Sequence, residues 1–225
     1  MAHPWNKIRV RQHTTKPAPL TDKSELQDMV KAAYNLVVRA VASPSAEYKT
    51  EFFGYEGYRK STTVDARARK LKDFLECDRL FELCFVCAAE NDICGSDKKY
   101  TGYAGGWEFQ RLPTKPWILL GVGFRGTRYS WGEKVCAILH ELTHIVTGTV
   151  DVEYKGVEIY GLDRCMVLAE NAPHKAFQNA DNWTYYFGSY RHLTPEANRD
   201  WKYFTDWEVA GRRLKTEHEK ASAGS

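Results

Sequence analysis

The chain has 225 residues, 43% of them hydrophobic and 27% charged, the balance of a globular protein of one domain, or one domain with a small lobe. Lys and Arg number 32 against 29 Asp and Glu, so the formal net charge is only +3, without the clustered excess of a protein that grips nucleic acid by its backbone. No apolar run is long enough to cross a bilayer as a helix, and the 13% aromatic share supplies core volume and the lining of clefts that hold extended ligands.

In chain order, residues 1–22 are polar and carry prolines, which predicts an extended arm. Met1 to Val10 contains no apolar h-region, so no signal peptide is visible. Leu26, Met29, Val30, Ala33, Leu36, Val37 and Ala40 recur at helical spacing, predicting a helix capped by Ser24 and running to about Ala42. The glycines and aromatics of Ser43–Thr62 read as a loop. A second helix is expected over Val64–Phe81, with Ala68, Leu71, Phe74 and Leu75 on one side. Leu83–Ala88 reads as a strand, Asn91–Gly106 as turns, and Trp117–Phe124 as another strand.

Six cysteines would permit three disulfides. Four of them, Cys77, Cys84, Cys87 and Cys94, lie close together and include one Cys-x-x-Cys. The flanking six-residue gaps do not fit paired zinc knuckles, so disulfides or plain thiols are expected there rather than a second metal site.

The stretch from Ser130 carries chemistry. Ser130-Trp131-Gly132-Glu133 has capping-box spacing and opens a helix whose buried face is Val135, Ile138, Leu139, Leu142, Ile145 and Val146, with Gly148 as its stop. Inside it stands His140-Glu141-Leu142-Thr143-His144. Histidines four apart project from one helix face, so two ring nitrogens can reach one zinc ion while Glu141 reaches a water beside it. A catalytic zinc takes three protein ligands and leaves one position open. No His-x-x-Gly-x-x-His continuation follows, which leaves two candidates: Asp151, just past the Gly148 turn, and Glu170, on an expected helix Leu162–Asn171 at a spacing suited to a thermolysin-like site.

His140-Glu141-x-x-His144 followed by Gly148-Thr149-x-Asp151 resembles the aspzincins, the deuterolysin and peptidyl-lysine metalloendopeptidase family, whose pattern continues Gly-Thr-x-Asp-x-x-Tyr-Gly. Tyr160-Gly161 with Cys165, Leu168 and Ala169, and Asn179-Ala180-Asp181-Asn182 with Tyr185, Tyr186 and Phe187, resemble later family segments; Tyr48–Gly54 resembles an earlier one. The chain departs from the pattern in one place. Tyr154 keeps the tyrosine spacing but is followed by Lys155, and the Tyr-Gly pair comes about six residues later at Tyr160-Gly161. The active-site tyrosine is therefore Tyr154 or Tyr160, with Tyr160 preferred because it keeps register with Cys165 and Asp181.

The resemblance implies an α+β fold of zincin type, with a zinc-binding active-site helix and a small mixed sheet. It implies a Zn2+-dependent endopeptidase with His140, His144 and Asp151 as ligands and Glu141 as general base. Asp181 is expected to face a Lys side chain just after the scissile bond. The expected substrates are proteins or peptides, the enzyme is expected to be an exported monomer, and no nucleic acid or membrane span is expected. Two other readings stay open: a gluzincin-type peptidase using Glu170, and a zinc-binding module without catalysis. The expected layout is an arm at 1–22, the peptidase domain at 23–192 and a tail of unassigned role at 193–225. His3, His13, His174, His192 and His218 lack ligand spacing, and Arg212-Arg213-Leu214-Lys215 reads as a solvated face.

Overall fold

The computed structural model describes residues 9–12, 22–59, 61–76, 84–87, 102–105, 117–120, 124 and 129–201. Three helices come first after a short strand: β1 (Arg9–Gln12), α1 (Lys23–Ala42), α2 (Ala46–Arg59) and α3 (Ser61–Glu76). The cap of α1 is Asp22, whose carboxylate accepts from the Ser24 N–H at 2.7 Å, so the cap lies two residues before the expected one. All seven apolar positions read from the spacing are buried.

The expected loop at 43–62 is mostly helical. Its glycines obscured the pattern, but Phe52 and Phe53 are fully buried, and that burial holds the segment as a helix against its neighbours. Gly54, at φ 66° and ψ −173°, interrupts the helical geometry within α2. This conformation is open essentially to glycine alone. A Cβ there would lie 2.2 Å from the Ala169 carbonyl oxygen, so the missing side chain also permits close backbone approach.

Four strands form a mixed sheet in the order β1-β2-β4-β3, with β2 at Cys84–Cys87, β3 at Gly102–Gly105 and β4 at Trp117–Leu120. β2 is parallel to both β1 and β4, and β3 is antiparallel to β4. Two expectations are corrected here. Arg9–Gln12, placed in an extended arm, is an edge strand; and the expected turn region Asn91–Gly106 contains β3. The expected second helix ends at Glu76, and residues 77–81 fall outside the described ones.

The helix α4 (Trp131–Thr147) follows the sequence reading closely. Glu133 N–H donates to the Ser130 hydroxyl at 3.3 Å and Ser130 N–H to the Glu133 carboxylate at 2.6 Å, a complete capping box. Gly148 ends it in the left-handed conformation, at φ 68° and ψ 33°. A short hairpin, β5 (Glu153–Tyr154) and β6 (Val157–Glu158), leads to α5 (Leu162–Asn171), α6 (Pro173–Ala176) and α7 (Ala180–Gly188).

One core joins the inner faces of α1, α3, α4 and α7 to Ile118, Leu120 and Phe124. A smaller one, with Val152, Ile159, Cys165, Leu168 and Ala169, lies between the hairpin base and α5. Residues past 192 join the first core: Trp201 is buried, packs edge-on against Trp131 and sits where Gly132 has no side chain. No helix among the described residues is long and apolar enough to cross a membrane. The result is an α+β fold in which the helix bearing both site histidines is fixed on one face by α1 and α3 and on another by α7.

Candidate metal centre

α4 presents His140 and His144 one turn apart, their Nε2 atoms 3.0 Å from each other. The turn at Gly148 brings Asp151 back, with Oδ1 3.1 Å from His140 Nε2 and 3.4 Å from His144 Nε2. Ligand atoms at about 2.0–2.1 Å from a tetrahedral zinc stand about 3.3–3.4 Å apart, so the three atoms already mark one face of such a site.

The outer hydrogen bonds fix which nitrogens face inward. His140 Nδ1 meets Asp181 Oδ1 at 2.6 Å and His144 Nδ1 meets the Thr149 carbonyl at 2.8 Å. Both partners can only accept, so each Nδ1 carries a proton and each Nε2 is the nitrogen turned inward. Two lone pairs and a carboxylate oxygen pointing at one spot repel unless a cation or proton sits among them. The residues present therefore fit zinc, the metal of this N/N/O donor set with one position left open. Among the described residues, His140, His144 and Asp151 form the one group able to hold a metal ion.

Electrostatics agree with the geometry. Burial disfavours a charged His140, but the carboxylates of Asp151 and Asp181 outweigh it and raise the imidazole pKa well above its usual value. Burial would raise the Asp151 pKa, yet hydrogen bonds from His140 and His144 outweigh it and hold the carboxyl far below the usual range. Tyr160 is raised above the ordinary phenol value by burial, reinforced by Asp151, so its hydroxyl stays protonated and donates to Asp151. Its ring lies 6.3 Å from that of His140.

The other candidates fall as follows. Glu141 is 6% exposed within α4, and its charge acts on His140. Tyr154 sits on β5, its ring covered by the Lys155 and Lys175 ammonium groups, so Tyr160 is the tyrosine beside the metal residues. Glu170 is exposed on α5 and outside the metal group. Asp181 lies behind His140. Its side chain is only 13% exposed and both oxygens are engaged, Oδ1 by His140 and Oδ2 by the Gly161 N–H at 2.8 Å. Both oxygens are thus engaged from behind His140, which places Asp181 to orient that ring. In the sheet, β4 is interior, flanked by β2 and β3, and the strand at the sheet edge beside α4 is β3.

Two residues were not singled out from the sequence. Thr143, buried in α4, donates to the His140 carbonyl at 2.8 Å, which leaves its oxygen to accept from the Thr149 hydroxyl at 2.8 Å. This clasp holds the turn whose carbonyl orients His144. The Gly-Thr dipeptide was its only sequence signal. Cys136 and Cys165 are free buried thiols, so these two take no part in the three disulfides the cysteine count would allow. Nothing is described of the side chains of Cys77, Cys84, Cys87 and Cys94, so that expectation lies outside the described residues.

Residues 118–188 match the aspzincin family model, described as lysine-specific metallo-endopeptidase. Among solved structures, the zinc peptidase from Grifola frondosa is similar at 22% sequence identity and a TM-score of 0.52, covering 74% of this chain and 93% of that one. The curated protein sequences give no match. The fold is thus similar to that of the Grifola frondosa zinc peptidase, and residues 118–188, which carry His140, His144 and Asp151, match the aspzincin family model.

Proposed function

We propose that the protein hydrolyses internal peptide bonds of protein or peptide substrates, with His140, His144 and Asp151 as zinc ligands and Glu141 as general base. The observation that carries this is the convergence of two Nε2 atoms and one carboxylate oxygen at 3.0–3.4 Å, beside the helix that carries Glu141 and beside a protonated Tyr160. Zinc held there would lower the pKa of a bound water toward about 7 and would polarise the scissile carbonyl.

The chain's own groups do the rest. Glu141 takes the proton of the attacking water and returns it to the leaving amine. The Tyr160 hydroxyl exchanges its bond to Asp151 for one to the oxyanion as charge develops. Asp181 holds His140 in the tautomer that keeps Nε2 free, and steadies the ring. The edge strand β3, antiparallel to its neighbour and packed beside α4, is the element best placed to pair with an extended substrate backbone.

A preference for Lys after the scissile bond is proposed on the description of the matching family alone, with Asp181 read as the residue that orients His140. Export is likewise proposed on the family likeness. The test is Glu141→Gln. It should bind zinc like the parent, melt within a few degrees of it, and lose nearly all cleavage of a denatured protein. Cleavage by Glu141→Gln at the parent's rate would remove Glu141 from the mechanism. Parent protein that binds zinc and cleaves nothing would favour a binding module.

A further inference from the structure

We infer that Asn179 is a positioning residue that holds the third metal ligand and the active-site tyrosine in one frame; this rests on the zinc-peptidase reading above. Asp151 and Tyr160 are separated by residues 152–159, which fold as a hairpin with a two-residue turn. Lys155 at φ 53° and Gly156 at φ 75° are both left-handed, as the turn of such a hairpin requires. The base is closed by Ile159 N–H donating to the Val152 carbonyl at 2.9 Å. A hairpin this short is marginal on its own, so its two ends must be held from outside.

The side chain of Asn179 holds both ends. It is fully buried; its Oδ1 accepts from the Val152 N–H at 3.1 Å, one residue past Asp151, and its Nδ2 lies 3.4 Å from the Ile159 carbonyl it donates to, one residue before Tyr160. The same Nδ2 donates to Asn182 Oδ1 at 2.8 Å, and Asn182 in turn donates to the Phe52 and Cys165 carbonyls at 2.7 and 2.9 Å. On the far side of Asp151, Val150 is held by a parallel bridge to Asn179 itself, through Gln178 O and Ala180 N. On the far side of Tyr160, Gly161 N–H is held by Asp181. Each site residue is thus bracketed by contacts to one stretch, 178–182.

The chemistry selects asparagine. One short planar amide offers an acceptor and a donor at opposite corners. Leu offers neither, and Asp offers the acceptor without the donor.

The test compares Asn179→Leu, Asn179→Asp and a packing control, Leu168→Ala, which removes buried volume from the same small core without removing a side-chain hydrogen bond. Melting temperature, zinc affinity by chelator competition, and kcat and KM on one peptide are measured where all are folded. Asn179→Leu should lose about tenfold or more in zinc affinity and in kcat, with KM little changed, as for loss of a group that orients metal ligands. Leu168→Ala should change neither appreciably. Asn179→Asp should keep zinc affinity, through the Val152 bond, and lose kcat, through the freed Ile159 end. Asn179→Leu behaving like Leu168→Ala overturns the inference. Should Asn179→Leu not fold, parent-like kcat in Asn179→Asp overturns it instead. Zinc binding unaffected by Asp151→Ala, by contrast, would count against the zinc-peptidase reading itself.

Discussion

Asp181→Asn separates the two roles available to this acid. Asp181 Oδ1 lies 2.6 Å from His140 Nδ1 and Oδ2 accepts from Gly161 N–H at 2.8 Å, on a side chain that is 13% exposed. Asparagine keeps the size but brings one acceptor to two donors. Either His140 or Gly161 is left facing an NH2 group, and a buried donor without a partner costs about 1–3 kcal/mol. The charge-assisted bond to the imidazole is lost as well, worth about 1.5–3 kcal/mol. Part of this cost falls on the metal-free protein too, and zinc affinity should drop about 10- to 100-fold, the usual effect of removing a group that orients a ligating histidine. The assay is zinc competition against a chromophoric chelator, with cleavage of matched peptides carrying Lys, Leu or Glu after the scissile bond. Activity at saturating zinc should fall while the ranking of the three peptides stays. Zinc affinity within twofold of the parent, together with a flattened ranking, would refute the positioning role and restore Asp181 as the pocket acid.

Other outcomes follow from the same geometry. Asp151→Ala removes one of three ligands and should weaken zinc by about a hundredfold or more, taking a share of the 10–16 kcal/mol typical of a four-ligand site, whereas Glu170→Ala should leave affinity unchanged; the reverse pattern in a chelator titration would support the gluzincin reading. Because Asp151 and Asp181 raise the His140 pKa, a proton competes with zinc for Nε2 as pH falls. Apparent affinity should therefore drop by about tenfold per pH unit from this group alone, starting above the ordinary histidine value of about 6.5, and an affinity flat between about pH 8 and 6 would contradict this. Gly54→Ala forces a side chain into a glycine-only conformation and against the Ala169 carbonyl, costing about 2–5 kcal/mol and lowering the melting temperature by several degrees; an unchanged melt would show that the α2–α5 contact yields freely. Thiol titration without reductant should find at least the two free groups of Cys136 and Cys165 after denaturation, and slow reaction of both in the folded protein, where burial raises each thiol's pKa.

What the sequence showed and what it hid divide along the range of the contacts. α4 was legible end to end, because a capping box, a helical apolar stripe and a left-handed glycine all act within a few residues. The His140–His144–Asp151 group was legible for the same reason: one helical turn and one glycine turn place all three. α2 was hidden because its glycines suggested a loop, while its helix depends on burying Phe52 and Phe53 against elements more than a hundred residues on. The sheet order was hidden because strand pairing is set by distant partners, so nothing local distinguishes an interior β4 from an edge. The role of Asp181 was hidden likewise, since its bond to His140 spans 41 residues. Tyr160 was chosen over Tyr154 by register, and the structure gives the physical reason: the hairpin turns Tyr154 toward Lys155 and Lys175 and returns the chain so that Tyr160 meets Asp151.

The most direct test of the central claim is digestion of a denatured proteome-derived peptide mixture, with cleavage sites read by mass spectrometry. It is run with the zinc-loaded parent, the parent plus chelator, the chelated parent with zinc restored, and Glu141→Gln. Endopeptidase cleavage should appear with the parent, vanish with chelator, return with zinc, and be absent in Glu141→Gln even though that variant holds zinc as tightly. Cleavage that survives complete removal of the metal, or that Glu141→Gln performs as well as the parent, would contradict a zinc-dependent mechanism built on α4.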